Sequence, residues 1–257
     1  MNHLNLLTYT RSLHRFFLLA ASLGTVSFAT QAETLAIINA TVHTVAKQGI
    51  LSKAAVLVED GKITAVYSNA EMPEKIIADI TVDAKGAILT PGFIASNNLL
   101  GLVEVGAVSR TRDSSDKKAD ITFDASLAFN PKSSLVPYAR KGGITSSVVM
   151  PYGGEGVFSG QSFVVNLSGD FNSVTVSQHA VIADFGSKTK GSRAINLQKF
   201  ANALEDANKA LLTQSKEKKK GKDKEKASSK TPKRAQQAVN SLLNGDKTLL
   251  AHVDRAT

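Results

Sequence analysis

The chain has 257 residues, with 31 Lys+Arg against 22 Asp+Glu, a formal net charge of +9, no cysteine and no tryptophan. At 42% hydrophobic and 21% charged residues its composition is globular, and it is long enough for one large domain or two smaller ones. The missing cysteines exclude a disulfide framework, a thiolate zinc site and a cysteine nucleophile.

The positive charge is local. Residues 1–32 hold Arg11 and Arg15 and no acidic residue, and the tract 216–234 (KEKKKGKDKEKASSKTPKR) opposes ten basic residues with Glu217, Asp223 and Glu225. The remainder is close to neutral, whereas a nucleic-acid binder spreads Lys and Arg over its folded surface. No aromatic interleaves with the lysines, so a stacking platform for single strands is not expected either. Nucleic acid is therefore not expected as a partner. The tract reads as a disordered insertion, because so dense a like charge buries no apolar surface; attraction to an anionic partner is the rival reading.

In chain order, Arg11, His14 and Arg15 precede an apolar run at 16–29 and small residues at Ser27, Ala29, Thr30 and Ala32. A basic region, a short apolar region and a small-residue cleavage site, in that order, predict a signal peptide over 1–32. The apolar run is too short to span a bilayer, which takes about 20 residues. A buried N-terminal helix is the alternative. The expected product is periplasmic or secreted, with no membrane attachment after cleavage.

Residues 33–90 read as a small, mostly antiparallel β-unit. Strands are predicted at 35–38, 54–58, 63–66, 80–83 and 87–90, with a tight hairpin at Glu59-Asp60-Gly61-Lys62, where Asp-Gly supplies positive φ cheaply. From Pro91 the texture changes. Apolar runs at 93–96, 145–150, 162–166, 180–184 and 248–253 alternate with helical patterns at 197–215 and 235–243, the second stopped by Asn244-Gly245. Strands alternating with helices predict an α/β fold built on a mainly parallel sheet or barrel, with 162–166 open to a hairpin assignment.

Two segments, LAIINATVHTVAKQGILSKAAVLVEDGKITAV and GAILTPGFIASNNLLG, resemble the amidohydrolase superfamily, closest to its imidazolonepropionase-like and dipeptidase-like metal-dependent hydrolase branch. YARKGGITSSVVMP, GVFSGQSFVVNLSG and LLAHVDRA extend the resemblance to most of the chain after the leader. It implies a small β-sandwich domain, whose N-terminal part is 33–90, followed by a partial (β/α)8 barrel over 91–257 that contains the 216–234 insertion. The 91–257 stretch is shorter than the about 250 residues of a complete barrel, so the chain reads as the N-terminal portion of a longer protein or as a truncated gene product.

The resemblance also implies hydrolysis of carbon–nitrogen bonds in small amides or dipeptides by water activated on a divalent metal ion, zinc foremost. The family's His-X-His pair works because alternate residues of a strand face the same side. Aligned from Pro91, its two positions fall on Asn97 and Leu99, and the usual Asp on Ala95. Asn97 thus marks the position of a lost His ligand, and His252 in LLAHVDRA is the one metal ligand the resemblance carries over. Either the branch builds another metal site, or it holds one ion, or hydrolysis has been lost, leaving a non-catalytic binding or scaffold protein. A homo-oligomer is compatible with an incomplete barrel, which would leave strand edges to cover.

Of the remaining motifs, Gly153-Gly154-Glu155-Gly156 and Ser159-Gly160-Gln161 lack a phosphate-loop ending and read as tight loops at a barrel rim, where the resemblance implies contact with substrate as the alternative. Glu104, Arg110 and Arg112 read either as mouth-lining or as salt-bridged loop residues. GVFSG is not a serine-hydrolase elbow, since its serine falls one place late.

Overall fold

A computed structural model describes residues 33–186, 192–219 and 233–253. The predicted signal peptide and residues 220–232 of the basic tract lie outside the described residues. No helix among the described residues is long and apolar enough to cross a membrane. The chain divides between Pro91 and Gly92 into two compact units.

The first unit is a single five-stranded sheet. Strands β1 (Thr34–His43), β2 (Ile50–Glu59) and β3 (Lys62–Tyr67) form an antiparallel meander, and β4 (Ile80–Asp83) and β5 (Ile88–Leu89) both pair parallel to β1. The predicted hairpin is present: Glu59 pairs with Lys62 across Asp60 and Gly61, whose φ values are 50° and 71°. Positive φ at both central positions matches the turn to the twist of its strands. β1 is longer than its apolar run suggests, because register shifts around Asn39 (φ 55°) carry the strand past the polar residue. Ala40, Val42, Ala54 and Val56 form the buried core of this sheet. A second layer, as in a sandwich, is not seen among the described residues of this unit.

The second unit is α/β. Strand β6 (Phe93–Asn98) runs parallel to β7 (Ile144–Val149), and β11 (Ala180–Asp184) parallel to β12 (Thr248–His252). Between these pairs lies a bent hairpin. Its first arm is β8 (Phe158–Gln161) and β9 (Phe163–Asn166), separated by Ser162, and its second arm is β10 (Val174–Val176) running on to β11. β9 pairs antiparallel with β7 and β8 antiparallel with β11. Consequently β6, β7, β11 and β12 all point the same way, and the inverted arm of β8 and β9 links the sheet of β6, β7, β9 and β10 to that of β8, β11 and β12. The open hairpin assignment of 162–166 resolves in favour of the hairpin.

Three helices complete the unit: α1 (Leu135–Lys141), α2 (Arg193–Lys219) and α3 (Lys233–Leu243). α1 carries Pro137 near its start, where the missing N–H costs no helical hydrogen bond, and ends at Gly142. Helical backbone reaches into both ends of the tract read as disordered, since α2 runs to Lys219 and α3 starts at Lys233. Lys and Glu are good helix formers, and a basic helix C-terminus is favoured by the peptide dipoles. Ala207 of α2 and Ala235, Ala238 and Val239 of α3 pack with Ile121 and Val181 in one buried cluster. Leu102, Val136, Val149, Phe163 and Val165 form another, with Phe129 edge-on to Phe163 at 5.9 Å.

The Ser159-Gly160-Gln161 segment corrects the sequence reading: it is strand β8, and all three residues are buried. Gln161 reconciles its polarity with burial by donating from Nε2 to the Ile121 carbonyl (3.0 Å) and accepting from Lys247 Nζ. Burial holds the Lys247 ammonium below its ordinary pKa, with the nearby Asp124 charge opposing that shift.

Candidate functional site

The ends of the four co-directional strands frame a concavity of about 240 Å³ in the second unit. Strands sharing a direction bring their C-terminal ends to one side, where α/β folds place ligands. Asn97 comes from β6, Asp184 from β11 and His252 from β12, while Met150 and Pro151 directly follow β7. Ser159 also lines it, from near the start of the inverted strand β8, and Ile182 supplies an apolar floor.

His252 and Asp184 are the last residues of adjacent parallel strands and face each other in the ladder. His252 Nδ1 lies 3.1 Å from Asp184 Oδ1. A carboxylate only accepts, so this contact places a proton on Nδ1, and in the neutral ring Nε2 is then the acceptor nitrogen. The same oxygen accepts from the Gly186 amide at 2.7 Å, and the Phe185 amide donates to the His252 carbonyl at 2.9 Å. One carboxylate oxygen, Oδ1, therefore receives both the ring and a backbone amide. The Asp184 side chain is 15% exposed against 41% for the imidazole, so the dyad presents the ring and shelters the acid.

Asn97 is positioned by a bulge. Register against β7 steps from Ser96↔Val148 to Asn98↔Val149, which makes Asn97 the extra residue, and its φ is 54°. Asn is among the few residues that take this left-handed conformation readily. The next residue is committed elsewhere: Asn98 Nδ2 donates to Ser147 Oγ (2.9 Å) and its Oδ1 accepts from the Leu100 amide (3.1 Å). The bulge corrects the alternate-face argument applied to 97 and 99. β6 ends at Asn98, so Leu99 lies beyond the strand and the simple alternation does not extend to it. Of the two aligned positions, only Asn97 lines the concavity.

The loop after β7 depends on two glycines. A Cβ on Gly153 (φ 66°) would stand 2.2 Å from Ser159 Cα, and one on Gly154 would stand 2.6 Å from the Asp116 carbonyl oxygen. This close backbone approach fixes Tyr152, which also lines the concavity, and donates its amide to the Ser114 carbonyl at 2.8 Å. Glu104, by contrast, accepts from Asn130 Nδ2 (3.0 Å) and Ser133 Oγ (2.9 Å) and is absent from the lining. Arg110 and Arg112 are absent from it too.

The donor set does not fit the divalent ion that the resemblance implies. Asn97 offers a neutral amide, Leu99 offers nothing, and one nitrogen of His252 is turned to Asp184. Among the described residues no group of three or more His, Cys, Asp and Glu side chains converges as an ion site. Three protein ligands are the usual minimum for a catalytic zinc.

Of the residues singled out in the sequence, Asn97, Ser159 and His252 line the concavity, whereas Asp184 and Tyr152 were not singled out. One signal for Asp184 was present. AVIAD and TLLAH each place a polar residue directly after three apolar ones, the pattern of parallel strands ending at a shared rim.

No protein-family model and no curated protein matches this sequence. Among solved structures, an amidohydrolase from Thermotoga maritima aligns over 86% of this chain at 22% identity with a TM-score of 0.70. That likeness shows a shared fold, and the chain spans 58% of the length of that protein. An L-hydantoinase (dihydropyrimidinase) from Arthrobacter aurescens aligns over 67% of this chain and 31% of its own at 16% identity, TM-score 0.31. A triazine hydrolase aligns over 30% and 17% at 29% identity, TM-score 0.25. The last two carry no argument about architecture.

Proposed function

We propose that the chain is part of an exported hydrolase of the amidohydrolase superfamily, which cleaves carbon–nitrogen bonds in small amides at the rim of a partial (β/α)8 barrel. The first unit would belong to the small β-sandwich that precedes such a barrel. The carrying observation is the His252–Asp184 pair, set at the ends of adjacent parallel strands in a concavity, on a fold shared with an amidohydrolase. Export rests on the basic, apolar and small-residue order of 1–32.

Because the donors fall short of a metal site, the chemistry is derived from the side chains present. Asp184 holds the His252 Nδ1–H, so Nε2 takes a proton from a water that attacks the amide carbon. The resulting imidazolium returns that proton to the departing nitrogen as the carbon–nitrogen bond breaks. The products are a carboxylic acid and an amine. Positioned general acid–base catalysis contributes about 10²–10⁴-fold.

The test is hydrolysis of a panel of linear amides, dipeptides and cyclic amides by the purified protein, with and without added zinc. Turnover that falls about 10²–10⁴-fold in His252→Ala, and also falls in Asp184→Asn, is the expected result. No turnover in either condition would overturn the hydrolase reading in favour of a binding protein on the same fold.

A further inference from the structure

The Asn97 side chain points to which amides this concavity accepts, an inference that rests on the reading of the site as an amide-binding one. Three observations converge on it. The bulge makes Asn97 the extra residue of β6 and gives it a left-handed backbone, and a bulge beside a site is a device for re-aiming one side chain. The neighbouring Asn98 amide is held by Ser147 and Leu100, so of the two consecutive asparagines only Asn97 lines the concavity. No lysine or arginine lines it among the described residues, and its one carboxylate is already paired with His252. Without a lysine or arginine to offset an anion's charge, and with the Asp184 carboxylate nearby, the lining suits an uncharged ligand better than a carboxylate or phosphate.

A carboxamide side chain presents a donor, Nδ2–H, and an acceptor, Oδ1, along one edge. Its complement is an amide whose C=O and N–H also lie on one edge. Primary carboxamides and ring amides have that arrangement. A linear secondary amide is trans, which puts its C=O and N–H on opposite sides, so it reaches only one of the two groups. We propose that Asn97 is a specificity-determining residue that selects uncharged primary or ring amides over linear secondary amides and dipeptides, through a two-point hydrogen-bonded pair.

Propanamide and N-methylacetamide are isomers that differ in this edge, and 2-pyrrolidinone supplies the ring form. Each is titrated into the purified protein and followed by amide chemical shifts, a readout that needs no turnover. The second hydrogen bond predicts that propanamide and 2-pyrrolidinone bind about three- to tenfold more tightly than N-methylacetamide. Asn97→Gly keeps the left-handed backbone without strain and removes only the amide, so it should abolish the preference while the fold is retained. Equal binding of the isomers by the unaltered protein, binding of none of the three, or a preference that survives in Asn97→Gly would each overturn the proposal. A preference without any hydrolysis would instead overturn the hydrolase reading and leave the role of Asn97 standing.

Discussion

Gly153→Ala tests whether the loop after β7 is held by backbone contact. At φ 66° the glycine occupies a conformation that costs an L-residue about 1–2 kcal/mol. The added Cβ would also sit 2.2 Å from Ser159 Cα and 2.7 Å from its carbonyl carbon. Neither atom belongs to a flexible side chain, so one of the two backbone segments must move, and overpacking of this kind costs about 1–3 kcal/mol. Together these predict destabilisation of about 2–5 kcal/mol. With a melting shift of about 2–4 °C per kcal/mol for a chain of this size, the Tm should fall by about 4–20 °C. Gly156 in the same loop is the control, because a Cβ there meets nothing within 4 Å. Thermal and urea unfolding followed by circular dichroism would compare both variants with the parent. If Gly153→Ala and Gly156→Ala melt together with the parent, the close approach to β8 is not what holds the loop, and the placement of Tyr152 needs another cause.

Phe163→Ala removes a fully buried ring from the cluster around Leu102, Val149 and Val165, and should cost about 3–5 kcal/mol in urea unfolding; a loss below about 1 kcal/mol would mean that this cluster does not support the second unit. In the first unit, the Thr34 amide (2.9 Å) and hydroxyl (2.7 Å) both donate to Asp79 Oδ2 and hold its carboxyl below the ordinary carboxylate pKa. The folded value is the depressed one, so this contribution to stability is complete above the ordinary carboxylate pKa and is lost as pH falls through the folded value. Thr34→Ala keeps the amide bond and loses the hydroxyl. Carbon-detected titration of this variant should show the Asp79 pKa rising part of the way to its ordinary value, and an unchanged value would refute the hydroxyl's share.

The elements legible in the sequence were those whose periodicity is local. The Asp60-Gly61 turn, the strand of AVIAD and the helix ending at Leu243 follow from neighbours within a few residues. β8 was not legible, because Ser159, Gly160 and Gln161 have neither apolar alternation nor β-branched side chains. They are strand because distant groups satisfy them: the Ile121 carbonyl and Lys247 take up the Gln161 amide, and β11 supplies the ladder. The left-handed residue of β6 was hidden for a related reason, since a bulge is defined by the partner strand and nothing in SNNLL announces one. His252 stood out as a histidine after an apolar run. Its carboxylate partner lies 68 residues earlier, and only strand pairing brings the two together.

That pairing gives the site an unusual dependence. Asp184 meets His252 through the last rung of a ladder that starts at Ala180↔Thr248, so no flexible loop sets their separation. A slip of β12 by one residue would place Ala251 or Val253 at the carboxylate and turn the imidazole to the other face. The connections outside the packed parts of α2 and α3 can therefore vary in length without disturbing the pair, provided that the ladder closes in the same frame. An imidazole signal diagnostic of the carboxylate contact would then report the alignment of the sheet itself, and variants with altered connecting segments could be sorted by correct assembly before any ligand is known.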